Sequence, residues 1–311
     1  MELPALPEAY TARGATMEDA PAVTELVTAS NLADVGSAEV DEAEIRAVWS
    51  RPVMRLDLDE HLVFDGDGIL VGWAEMYFPQ DAQGTVRPER RGVGLGAHLV
   101  AWTEHRALEI AGGDDTLVRQ SAHDTDTAAH ALFTSNGYGR VWDSWILELP
   151  LVDNPRIVAP PDGATIRRAE AHEERAVHDV IETAFGEWEG REPETFEDWH
   201  AYMAGRAGGN DPPWIVAETE GSIIAAATLM FYPDDSDAWI DEFAVARPYR
   251  RRGVGRSLLT HTFSDLRRAG AAKALLSTDS RGGGRHLYES VGMRVVRSST
   301  KYAKEIRAER P

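Results

Sequence analysis

The segment Trp239 to Leu266 leaves few folds open to this chain. Trp239-Ile240-Asp241-Glu242-Phe243-Ala244-Val245 reads as a strand. Arg250-Arg251-Arg252-Gly253-Val254-Gly255-Arg256 follows, and a helix is predicted over Ser257–Leu266 with Leu258, Leu259, Phe263 and Leu266 apolar. A strand that enters a helix through a glycine turn leaves backbone N–H groups unpaired and pointing one way, and the helix dipole there favours an anion. The glycines let a ligand approach the backbone, and the arginines add charge-assisted hydrogen bonds. The segment reads as a pyrophosphate site. No Gly-Lys-Ser/Thr closes it, so it is not a Walker loop. It also lacks the third glycine and the early position of a dinucleotide fingerprint.

The same order of signals occurs about 155 residues earlier, a spacing of one domain. Tyr10-Thr11-Ala12-Arg13 and a helix from Met17 to Val27 correspond to Ala164-Thr165-Ile166-Arg167-Arg168 and a helix from Glu173 to Phe185. Gly68 to Met76 corresponds to Gly221 to Leu229, each a strand after a tight turn. Val86 to Gly96 corresponds to Val245 to Gly255, and Ala131 to Tyr138 to His286 to Met293. The length of 311 residues fits two domains, expected at 1–152 and 160–311. The linker is expected within Pro150 to Gly163, which holds Pro155, Pro160 and Pro161.

Arg250-x-x-Gly253-x-Gly255 and Arg91-x-x-Gly94-x-Gly96 resemble the acyl-CoA-binding motif of the GNAT superfamily of N-acyltransferases. The doubled layout resembles tandem-domain members over nearly the whole chain. The resemblance implies an α/β fold, a mixed sheet with flanking helices in each of two tandem domains. The fourth and fifth strands of each are expected to part and admit an acyl-pantetheine arm, held by main-chain bonds as an added strand. It further implies acetyl-CoA as the acyl donor. In the second copy the implied contacts are Phe243, Ala244 and Val245 on the fourth strand, and Arg250, Arg251, Arg252, Gly253, Val254, Gly255, Arg256 and Ser257 in the loop. In the first copy they are Val86, Arg91, Gly92, Val93, Gly94, Leu95 and Gly96.

Acyl transfer to an amine needs a base for the amine, a donor for the oxyanion and a proton for the leaving thiolate. Strict alternation places Trp239, Asp241, Phe243 and Val245 on one face of the fourth strand and Ile240, Glu242 and Ala244 on the other. The resemblance favours Glu242 as the base and Tyr288 as the general acid. In the first copy Phe133 stands in place of the tyrosine, and Gln80-Asp81-Ala82-Gln83-Gly84-Thr85 has poor strand propensity beside the expected arm. The first copy is therefore expected to be catalytically silent. The stretch Gly186 to Tyr202, acidic and aromatic, is expected near the acceptor. The function implied is transfer of an acetyl group to a primary amine of a small molecule. The alternative is a non-catalytic acetyl-CoA-binding or sensing protein, which has no need of Tyr288 or Glu242.

A formal net charge of −20, from 32 basic and 52 acidic residues, argues against nucleic acid as a partner. The absence of cysteine excludes disulfides and thiolate chemistry and fits a reducing, cytoplasmic setting. No histidine spacing points to a metal. No signal peptide and no bilayer-spanning run is evident, so no membrane partner is expected. Monomer and homodimer are both compatible with this composition.

Overall fold

The structure, a computed structural model, describes residues 4–37, 40–152, 156–188, 191, 193–206, 214–232 and 237–308. The first half of the chain runs β1 (Thr11–Arg13), α1 (Ala20–Asp34), α2 (Glu42–Trp49), α3 (Leu56–Asp59), β2 (Glu60–Phe64) and β3 (Leu70–Phe78). It continues with β4 (Asp81–Val86), α4 (Leu95–Ile110), β5 (Thr116–His123), α5 (Thr127–Ser135) and β6 (Gly139–Pro150). The second half runs β7 (Ala164–Arg168), α6 (Glu174–Phe185), α7 (Phe196–Arg206), β8 (Ile215–Thr219) and β9 (Ser222–Tyr232). It ends with β10 (Asp237–Val245), α8 (Val254–Arg268), β11 (Lys273–Asp279), α9 (Gly284–Ser290) and β12 (Arg294–Ile306). Apart from α3, the two halves present the same elements in the same order. Among the described residues no helix is long and apolar enough to cross a membrane.

The chain divides into two compact units, Met1–Trp142 with Ser299–Pro311, and Asp143–Ser298. This differs from the division expected at 152 and 160, and the pairing of the last strands gives the reason. In the N-terminal unit, Ser299–Ile306 of β12 pair antiparallel with β5. In the C-terminal unit, Ser144–Pro150 of β6 pair antiparallel with β11. Each unit thus completes its sheet with a strand from the other half of the sequence, which no local pattern encodes. Pro150, expected to open the linker, is the last residue of β6 and pairs with Lys273. Of the expected linker, residues 153–155 lie outside the described residues.

In the C-terminal unit the sheet separates two apolar layers. Leu258, Leu259, Phe263 and Leu266 of α8 pack with Ala238, Ile240 and Leu276 on one face. Val177 and Ile181 of α6 and Trp199 and Met203 of α7 pack with Ala226 and Ala244 on the other. The N-terminal unit is layered likewise, with Leu95, Leu99 and Val100 of α4 against Val71 and Val118. Val23, Leu26, Ile45 and Trp49 cover Leu62 and Trp73 on the opposite side. The helix before each final strand ends in a left-handed glycine, Gly137 at φ 83° and Gly292 at φ 99°. Tyr138 N donates to the Phe133 carbonyl and Met293 N to the Tyr288 carbonyl, the closing bonds of a Schellman turn.

The polar segment 80–85, expected to make a poor strand, is strand β4 from Asp81 onward. It pairs with β3 from Phe78↔Asp81 to Gly72↔Val86. The polar side chains find partners there, which removes the penalty that propensity alone assigns them.

Candidate active site

In the C-terminal unit β10 and β11 run parallel from Asp237↔Lys273 to Ile240↔Leu276, and no further. Beyond that rung the two strands part. The gap opens a cleft of about 830 Å³ lined by Phe243, Val245, Leu276, Thr278, Gly283 and Tyr288, among others. The strands diverge where β10 carries a bulge. Ile240 pairs with Leu229 and Phe243 with Ala227, so Asp241 and Glu242 together oppose Thr228.

The bulge overturns the strict alternation expected along this strand. Ile240, Phe243 and Val245 share the α8 face, whereas Ala244 packs on the α6 and α7 face. Glu242 turns to the α7 side, where Trp199 Nε1 donates to its Oε2 at 2.8 Å. Its own N–H donates to Thr228 Oγ1 at 3.0 Å. Part of its surface still reaches solvent, yet its carboxyl sits deep. Burial, and then the Asp241 charge, push it up to about 8 from an ordinary 4.5. A carboxyl so placed takes up a proton near neutral pH. Asp241, and not Glu242, lines the cleft itself.

Tyr288 projects from α9 into the cleft, edge-on to Phe243 at 6.0 Å between ring centres. Among the described residues its hydroxyl has no hydrogen-bond partner. Burial, and then the Asp279 charge, push the phenol up to about 12. A Cβ on Gly284 would come within 3.1 Å of the Tyr288 ring and 3.3 Å of Thr278 Oγ1. A glycine there keeps room for the phenol.

The loop after β10 differs in detail from its sequence reading. The helix α8 begins at Val254, three residues before the predicted Ser257, because Gly253 at φ 90° serves as its N-cap. Gly253, Gly255, Arg250, Arg251 and Arg256 line the cleft, with Phe243, Ala244 and Val245 on the strand beside it. The arginines are largely engaged within the protein. Arg250 donates through Nε to the Val245 carbonyl and through Nη1 to Glu187, both at 2.8 Å. Arg256 Nη2 donates to the Ser290 carbonyl at 2.8 Å, and Arg252 lies over Tyr249 at 6.0 Å. Arg251, exposed and at φ 58°, has no partner among the described residues. Val254 faces the core. Ser257 is buried and its hydroxyl donates to the Val158 carbonyl at 2.7 Å, so that side chain faces away from the cleft.

Of the acceptor stretch expected over Gly186 to Tyr202, Glu187 and Trp188 reach the cleft. Trp188 stacks on Phe185 at 4.6 Å, and the Arg281 guanidinium sits 5.2 Å from its ring. Trp199 is buried, with Phe196 and Tyr202 partly buried against the core beside it. Glu189, Gly190 and Glu192 lie outside the described residues. Sequence reasoning missed the role of Trp199 against Glu242. It also missed the Arg281 guanidinium against Trp188, because that contact joins segments remote in sequence.

The N-terminal unit has a cleft of about 690 Å³ lined by Val86, Arg91, Gly92, Gly94, Gly96 and Phe133, among others. Gly94 at φ 96° caps α4. Arg91 is clamped by both oxygens of Asp34, at 2.6 and 2.7 Å, and by Ser30 Oγ at 2.7 Å. Leu95 is buried in the core and Val93 is exposed.

Residues 174–293 match the model of the acetyltransferase (GNAT) family. This segment is a GNAT acetyltransferase domain. A solved structure of a GCN5-related N-acetyltransferase from Sphaerobacter thermophilus is 29% identical, covers 97% of this chain and 98% of its own, and has a TM-score of 0.79. A tandem GNAT protein from the clavulanic acid biosynthesis pathway is 14% identical, covers 96% and 98%, and has a TM-score of 0.73. N-myristoyltransferase of Saccharomyces cerevisiae with bound myristoyl-CoA is 10% identical, covers 97% and 80%, and has a TM-score of 0.68. No curated protein matches the chain. The mixed α/β fold is thus that of GNAT acyltransferases along the whole chain, and acyl transfer is the chemistry of the GNAT domain.

Proposed function

We propose that the C-terminal unit transfers an acetyl group from acetyl-CoA to a primary amine of a small molecule by direct attack. The observation that carries this reading is the cleft between the parted β10 and β11, with Tyr288 inside it, its hydroxyl without a hydrogen-bond partner among the described residues, and Glu242 on the flanking strand. The residues present fit the donor. The N–H groups at the start of α8 suit an anion, Gly253 and Gly255 keep the loop backbone accessible, and beyond Ile240 the edge of β10 that no longer pairs with β11 offers main-chain bonds to an extended arm.

In this reading Glu242 takes the proton from the attacking amine, directly or through one water. A backbone N–H of β10 holds the carbonyl oxygen as negative charge develops on it. As the carbon–sulfur bond breaks, Tyr288 gives its proton to the sulfur and regains one from solvent. The amine nitrogen has then gained the acyl group and lost one proton, and the donor leaves as a free thiol. The N-terminal unit, with Phe133 where the second unit has Tyr288, has no such proton to give and stays silent in this chemistry. The test is free-thiol release from acetyl-CoA against a panel of primary amines, with Tyr288→Phe and Arg91→Glu made separately. Turnover lost in the first and kept in the second supports the reading. The reverse moves the active site to the N-terminal unit. Tight acetyl-CoA binding without turnover on any amine would leave a binding protein instead.

A further inference from the structure

The two glycine turns are built alike but charged differently. Positions 250–256 carry four arginines, Arg250, Arg251, Arg252 and Arg256. The matching positions 91–97 carry one, Arg91, with Gly92, Val93 and Ala97 where the other three stand. The cleft walls differ in the same sense. Among its described lining residues the C-terminal cleft sets Arg250, Arg251 and Arg256 against Glu187, Asp241 and Asp279. The N-terminal cleft sets a single arginine, Arg91, against four acids, Asp34, Glu44, Glu75 and Asp126.

Two of those acids stand at the turn itself. Asp34, at the end of α1, accepts from Arg91 on both oxygens at 2.6 and 2.7 Å, and Ser30 Oγ accepts from the same guanidinium at 2.7 Å. Hydrogen bonding to Arg91 in turn holds the Asp34 carboxyl below the ordinary range, so it stays ionised. Asp126 caps α5 and accepts from Ala129 N at 2.9 Å. Thr125 Oγ1 donates to the Asp34 carbonyl at 3.4 Å, which brings the entry of α5 against the end of α1. In the C-terminal unit the residue that caps α9 is Gly283, which has no side chain. There Arg250 meets a single oxygen of Glu187, and Arg251 and Arg256 meet no carboxylate among the described residues.

An acyl-CoA brings about four negative charges, nearly two of them on its phosphomonoester. The N-terminus of a helix offers only about half a unit of positive charge. In the N-terminal unit Arg91 is already neutralised by Asp34, and Asp126 places a further negative charge on the same wall, so like charge opposes the helix dipole. Space does not explain the difference. The N-terminal cleft holds about 690 Å³, and a Cβ on Gly92 or Gly94 would meet nothing within 4 Å. We propose that the chain binds one molecule of acetyl-CoA, in the C-terminal cleft, and that Asp34 and Asp126 bar the N-terminal cleft to it. This inference rests on the reading that acetyl-CoA is the donor, and adds which of two like-folded turns accepts the anion.

The experiment titrates the full chain with coenzyme A by calorimetry and counts bound molecules by native mass spectrometry. Wild type is expected to bind one molecule per chain, and Arg251→Glu with Arg252→Glu to weaken that binding at least about tenfold. A grafted chain carries Asp34→Asn, Asp126→Asn, Val93→Arg and Ala97→Arg. Asparagine still caps α5, and the two arginines restore charge at the positions of Arg252 and Arg256. This chain is expected to bind a second molecule. If it does not fold, the wild-type count decides. Two molecules per wild-type chain, or a folded grafted chain that still binds one, overturns the inference and leaves the donor reading standing. A single molecule lost in Arg91→Glu and kept in Arg251→Glu with Arg252→Glu puts the site in the N-terminal cleft and overturns the inference. No binding at all overturns the donor reading itself, and this inference with it.

Discussion

The two units have the same order of elements yet close the foot of their clefts differently. In the C-terminal unit four rungs, Asp237↔Lys273 to Ile240↔Leu276, join the strands below the point of parting. In the N-terminal unit a single rung, Asp81↔Arg119, does so. That rung is reinforced by charge. Arg119 Nη2 lies 2.8 Å from Asp81 Oδ2 and Lys301 Nζ 2.8 Å from Asp81 Oδ1. Burial works against the Asp81 charge, yet Lys301 and then Arg119 hold its carboxyl below the ordinary range. The first of the four rungs in the C-terminal unit also carries an ion pair, Lys273 with Asp237 at 3.0 Å, but a more exposed one. Hydrogen-bonded rungs and a buried ion triad are thus two physical means to one end, a gap that opens at a fixed depth. In the reading proposed above, what separates the units is the acid–base equipment above that depth.

The largest expected effect tests that equipment. Glu242→Gln is expected to lower kcat about a thousandfold, the scale of a lost general base. Wild-type activity should climb with pH to about 8, and the variant should lose that limb. Stability should move the opposite way. The folded-state value of Glu242 lies above its unfolded 4.5, so its contribution is fully present below pH 4.5 and is lost as pH rises through about 8. Glutamine keeps the neutral form, so the variant should melt higher than wild type above pH 8. A parallel loss of activity and stability would show that the residue serves packing alone.

Next in size is the foot of the cleft. Asp81→Ala leaves Arg119 and Lys301 buried without their carboxylate and is expected to cost about 3 kcal/mol in urea unfolding. Asp237→Ala, at the first rung below the parting in the other unit, is expected to cost less than about 1 kcal/mol, because that pair is screened by solvent. Equal costs would remove the distinction drawn between the two clefts. Tyr288→Phe follows, giving the second unit the residue of the first. It should lower kcat about a hundredfold while the melting temperature holds, since no hydrogen bond is lost with the hydroxyl.

Much of this was legible in the chain. The doubled strand–glycine–helix pattern predicts two units of the same make, and the left-handed glycines ending α5 and α9 stand where the two matched segments place them. Three features were not legible, each for a physical reason. The bulge at Asp241–Glu242 is a ladder defect set by the partner strand β9, so strict alternation misplaced Ile240 relative to Phe243. The strands that complete each sheet come from the opposite half of the sequence, and long-range pairing leaves no local signature. Segment 80–85 is a strand because its polar groups are satisfied by β3, β5 and β12, a tertiary compensation that propensity does not see.

The smallest effect lies in the loops. Gly92, at φ 80°, and Arg251, at φ 58°, occupy equivalent positions in the two helix-entry turns. A side chain in the left-handed region costs roughly 1–2 kcal/mol, which glycine avoids. Part of that gain is offset by the greater freedom of glycine in the unfolded chain. Arg251→Gly is therefore expected to stabilise the protein by about 0.5–1 kcal/mol. Arg251 lines the cleft and is the loop arginine without a partner among the described residues, so the same change should raise the KM for acetyl-CoA and leave kcat nearly constant. The increase should shrink at high salt, as it does for an exposed charge. A stabilised variant with unchanged KM would mean that the strain at Arg251 serves no ligand. A higher KM without added stability would mean that the local backbone relaxes around the arginine at little cost.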